Sequence, residues 1–180
     1  MRPLPYRDPG TPPVTSVSAY LRWVARGQLG LILSASAWGT VGFVSTAVLP
    51  YLLGRVVDHG LDSGLSPEVW RGVLVLLAVG SVGVLANVVE HRRSVENWLR
   101  AAFRSSQLLG HHVTRTGDAV TVELPTGEVV ATVASDSLRV GEVFWIVPRL
   151  IGAVAAYLVV AVLLLGSSVP LGVAVLVGLP

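Results

Sequence analysis

Between Arg26 and Arg55 run 28 consecutive residues, Gly27 to Gly54, without a single charge. An α-helix rises about 1.5 Å per residue, so even part of this stretch crosses a hydrocarbon core roughly 30 Å thick. The chain is therefore expected to be an integral membrane protein. Three further apolar stretches follow: Gly72 to Val89 between Arg71 and Glu90, Leu150 to Leu165 after Arg149, and Leu171 to Pro180. The last has about 10 residues, too few to span a bilayer, so the expectation is a final helix cut short in a fragment.

Composition points the same way. Hydrophobic residues make up 52% of the chain and charged residues only 13%, where soluble domains approach about 25% charged. A net charge of +2, dispersed along the chain, excludes a nucleic-acid binder, which needs a concentrated basic stripe. With no cysteine, disulfides, thiolate metal sites and cysteine nucleophiles are excluded. Met1 to Pro13 is Pro-rich and lacks the apolar core of a signal peptide, so it reads as a disordered lead-in.

The arginines give an orientation. Arg2, Arg7, Arg22 and Arg26 precede the first span, and Arg92, Arg93, Arg100, Arg104, Arg115 and Arg139 lie between the second and third. By the positive-inside rule the N-terminus and the segment from about 91 to 142 are cytoplasmic, and the loops around Asp62 and Ser168 are outside. Spans are expected at about 29–53, 69–90, 143–166 and 170–180.

Local signals fill in the elements. From Ser18 to Arg26 a short amphipathic helix sets Arg22 and Arg26 one turn apart, with Tyr20, Trp23 and Val24 placed for headgroup depth; this reads as an interfacial elbow helix. Ala35 and Gly39, four apart in the first span, form a small-residue packing face, and Pro50 can kink that span. Ser66, Pro67 and Glu68 open the second helix as N-cap, first position and first-turn acid. Apolar spacing at Val95, Trp98, Leu99, Ala102 and Phe103 carries that helix on past Glu90. Ser135 to Leu150 reads as a second helical run feeding the third span. Between the two, Asp118 to Val133 alternates β-branched residues around Pro125-Thr-Gly-Glu128, a pattern that by itself reads equally as a β-hairpin.

Two segments now resemble one family. Leu49-Pro-Tyr-Leu-Leu-Gly-Arg-Val-Val-Asp-His-Gly-Leu61 is similar to the "P-x-L-x-G-x-x-[IV]-D-x-[GA]-[IL]" signature that closes the first transmembrane helix of ABC exporters. Pro125-Thr-Gly-Glu-Val-Val-Ala-Thr-Val-Ala-Ser-Asp136 resembles the run in that family's first intracellular loop. The order of elbow helix, span, short outer loop, long helix, cytoplasmic turn and long helix matches as well. Two features depart from the family: Val122 to Leu124 replaces the usual aromatic residue before the Thr-Gly pair, and Thr132 stands where an Arg is frequent.

The resemblance implies an all-α membrane protein: an elbow helix and about four transmembrane helices, the last truncated, with long helices extending into the cytoplasm. Residues 14–180 would be the N-terminal part of an exporter's transmembrane domain in a plasma (inner) membrane. Thr126, Gly127, Glu128, Val129 and Val130 would form the helix that couples to a nucleotide-binding domain, and Asp136 would stabilise the start of the returning helix. A helical turn at Pro125 to Ala131, rather than a strand, is then expected. ATP and magnesium would be used by that other domain, and a second transmembrane half, identical or not, would complete the pathway within the lipid bilayer.

Other residues support weaker assignments. His111 and His112 are adjacent, so they diverge on a helix, and with His91 they read as solvated residues, not a metal site. Glu90-His-Arg-Arg93 reads as a charged collar where a helix leaves the membrane. Arg149 either snorkels to the interface or faces the inner mouth of a transport pathway. Trp38 and Asn87 join it as candidate pathway residues, Asn87 foremost. No catalytic constellation and no G-x-x-x-x-G-K-[ST] loop occurs, so ATP would be hydrolysed elsewhere. The competing expectation is a truncated, non-transporting membrane protein: an anchor, an assembly partner or the product of a broken reading frame.

Overall fold

The computed structural model describes residues 10–64, 66–116 and 126–178. Met1 to Pro9, most of the lead-in, and the segment from 117 to 125, with the first half of the hairpin pattern, lie outside the described residues. In chain order the elements are α1 (Val17–Gly27), α2 (Leu29–Ser63), α3 (Pro67–Thr116), α4 (Thr126–Ala131), a π-helical turn (Thr132–Asp136), α5 (Ser137–Ser167) and α6 (Val169–Gly178). Among the described residues there is no strand. Three helices are long and apolar enough to cross a membrane, within Leu29–Leu61, Pro67–Arg115 and Ser137–Ser167. The described residues thus form an all-helical structure with membrane-compatible helices. The fourth apolar stretch forms only the 10-residue α6.

Capping chemistry sets the helix starts. Ser16 accepts a hydrogen bond from the Ala19 amide at 3.2 Å and opens α1. Ser66 does the same for Val69 at 3.4 Å, with Pro67 in the first turn of α3 as expected. Gly64, at φ +64°, makes the left-handed step that ends α2.

The chain divides into two compact units, one of residues 1–34 and 92–147, the other of residues 35–91 and 148–180. In the first, Val24 of α1, Ala101 of α3 and Phe144 of α5 form the buried core, flanked by Tyr20, Leu21, Trp23, Ile32 and Val140. The Tyr20 hydroxyl lies 2.6 Å from Ser105 Oγ, and the Arg104 guanidinium stacks 3.7 Å over the Trp23 ring. Glu96 lies between Arg93 and Arg100 along α3, at 3.5 and 3.0 Å. The Val24 side chain is buried by protein, where α3 offers it a small-residue surface.

In the second unit α2 and α3 form an antiparallel hairpin. Gly42 meets Asn87, Gly83 meets Ser45, and Gly72 meets Val56. Small residues let the backbones approach closely, which is how helices associate where lipid gives no hydrophobic drive. Ala35 and Gly39, the predicted packing face, are both buried. The helix that carries the first expected span, 29–53, is longer than that span. The helix runs on to Ser63 because Val56 against Gly72 and Gly60 near Val69 extend the contact beyond the apolar run.

The segment after Pro125 is helical rather than stranded. Among the described residues its β-branched side chains have no strand to join, and an isolated hairpin is marginal at best, so context overrides local preference.

Candidate functional site

The strongest constellation of the second unit gathers at Gly39. A Cβ at this position would stand 3.2 Å from Glu90 Cγ and 3.5 Å from the Pro148 carbonyl, so hydrogen is the only side chain that fits without displacement. From α5, a Cβ on Gly152 would come within 2.9 Å of the Gly39 carbonyl carbon and of the Phe43 ring. Three helices, α2, α3 and α5, therefore meet at backbone distance around this glycine.

Into the junction α3 delivers Glu90, 2% exposed, and α5 delivers Arg149. Arg149 Nε stands 3.5 Å from Glu90 Oε1, with 39% of the Arg149 side chain exposed. A lone charge at the end of an apolar run is costly, and a buried carboxylate without a cation more so. The pair resolves both, because each ion is the other's compensation. Of the expected charged collar, Glu90 is buried at the junction, while His91 and Arg92 beside it are exposed. One further polar atom is buried in this unit, Ser36 Oγ on α2, with no hydrogen-bond partner among the described residues.

The three expected pathway residues fare differently. Arg149 lies at the junction, but its charge is met by Glu90 from within the chain. Asn87, one turn before Glu90, packs its amide against Gly42. Trp38 neighbours Gly39 in sequence yet is 42% exposed, on a different side of α2. Sequence reading missed Glu90 as the partner of Arg149. The available signal was an acid at the end of one apolar run and an arginine at the start of another, each needing a counter-charge.

The residues expected to couple to a nucleotide-binding domain, Thr126, Gly127, Glu128, Val129 and Val130, all lie in α4. Gly127 is exposed, with open space where a Cβ would be among the described residues, and Val130 is 60% exposed. The helix leads through the π-helical turn, which ends at Asp136, directly into α5. The short element thus presents an uncovered apolar side chain next to a glycine.

Comparison with protein-family models, with curated proteins and with solved structures finds no match. The class defined by fold and site is an all-helical protein with three helices fit to cross a membrane and a buried ion pair where they converge.

Proposed function

We propose that the chain is the N-terminal portion of the transmembrane domain of an ATP-driven ABC exporter, moving its substrate across a plasma (inner) membrane by alternating access. In this reading the N-terminus is cytoplasmic, α1 is the elbow helix, and α2, α3 and α5 are the first three spans, with α6 belonging to a fourth. The short helix α4 rests on a nucleotide-binding domain outside this chain, where ATP and magnesium are used. A second transmembrane half completes the pathway.

The observation that supports this reading most is the six-residue helix Thr126–Ala131, set between a helix of 50 residues and one of 31. A pump of this kind needs a compact element at the tip of long helices to receive force from another domain. The exposed Val130 and the uncovered Gly127 give it a surface on which a partner can sit closely.

Gly127→Trp in the full-length protein tests it. Because a Cβ at Gly127 meets no described atom within 4 Å and the residue is exposed, insertion and folding should be unaffected. At a tightly packed partner surface the added bulk costs about 1–3 kcal/mol, the size of a typical coupling free energy between sites. In reconstituted vesicles, ATP hydrolysis should continue while transport falls. A variant that pumps like the wild type removes α4 as a coupling element and favours the non-transporting membrane protein instead.

A further inference from the structure

Pro148 lies inside α5, not at its start. In an α-helix the amide of each residue donates to the carbonyl four residues back, and proline has no amide hydrogen. The carbonyl deprived at this point is that of Phe144. That carbonyl has a substitute: Asn97 Nδ2, from α3, donates to Phe144 O at 2.8 Å. Asn97 is wholly buried, at 0% exposure, so its amide is not there for solvent. Since Phe144 O can only accept, the orientation of the Asn97 amide is fixed, with Nδ2 toward α5. Its Oδ1 then remains buried with no donor among the described residues.

We propose that Asn97 is a positioning residue that replaces the backbone donor missing at Pro148, so that α5 carries a built-in break held open by a side chain of α3. A buried carbonyl without a donor is costly, and a helix broken by proline tends to bend where its hydrogen bond is lost. With Asn97 present, the break costs no hydrogen bond and α3 is registered against α5 at that turn. The device depends on two residues 51 positions apart that make sense only together. It stands independently of the transport reading.

The test is a double-mutant cycle on the full chain in bilayer nanodiscs or detergent micelles, using N97L and P148A. Phe144-Trp145 is the only Phe-Trp pair in the sequence. Labelling phenylalanine with an NMR-active carbonyl carbon and tryptophan with an NMR-active amide nitrogen therefore gives a single correlation that reports on the Phe144 carbonyl. In the wild-type background N97L should shift that carbonyl resonance upfield and lower the unfolding midpoint by several degrees. In the P148A background the alanine amide supplies the bond, so the resonance should stay in the hydrogen-bonded range and N97L should cost less than half as much. N97A gives the same comparison without added bulk should N97L fail to accumulate. An unmoved resonance in both variants, or an equal loss of stability with and without Pro148, would overturn the proposal.

Discussion

Glu90 and Arg149 show how far a single pair of side chains can govern a junction of three helices. The carboxylate is buried and the Arg149 side chain is 39% exposed, so removing the arginine leaves the larger desolvation cost uncompensated. Arg149→Met should therefore destabilise the chain by about 3–5 kcal/mol, the range for breaking one side of a buried pair. Adding Glu90→Leu to that variant should recover most of the loss, because no charge is then left behind. Thermal unfolding of the two single variants and the double variant in matched micelles checks this; additive losses would mean that the contact carries no energy. Neither partner's identity was obscure in the sequence. What was missing was the pairing, because 59 residues separate them and only the convergence at Gly39 makes them neighbours.

At the scale of elements, the helices were legible from apolar runs and caps, and so was the small-residue face of α2, while most of the buried face of α3 was not. On α3 the apolar spacing at Val95, Trp98, Leu99, Ala102 and Phe103 correctly predicted helix; of these Ala102 is buried, whereas Phe103 is exposed. The other buried positions from Glu90 onward are Glu90, Ser94, Asn97, Ala101 and Ser105, at helical spacing. Small and polar residues win because close helix approach and interhelical hydrogen bonds, not bulk hydrophobicity, select the buried side. The same physics makes Gly152 intolerant of size. Gly152→Leu places atoms where the Gly39 backbone and the Phe43 ring already stand, and should cost about 1–3 kcal/mol or displace α5. Gly30→Leu, with open space around it among the described residues, is the control expected to leave the unfolding midpoint near wild type. Equal effects at the two sites would argue against backbone-distance packing at the junction. For α4 the sequence alone balanced strand against helix, and only the resemblance favoured helix. A β-branched run cannot announce by itself that it has no strand to pair with.

For the whole molecule, the central claim is that this chain threads a membrane with the connection near Ser63 on one face and the end of α3 on the other. Length and apolarity made the membrane-compatible helices readable, and the arginine distribution supplies the orientation expected of them. Neither identifies a substrate for the proposed pump, because substrate choice would rest on a few polar side chains whose neighbours the sequence does not reveal. The absence of native cysteine makes the topology directly measurable, since each introduced thiol has no background. The decisive measurement is labelling of S63C and T116C with a membrane-impermeant maleimide, in intact cells and again after permeabilisation. The expected result is that S63C reacts in intact cells and T116C reacts only once the membrane is opened. Labelling of T116C in intact cells, or of both positions from the same side, would contradict the account.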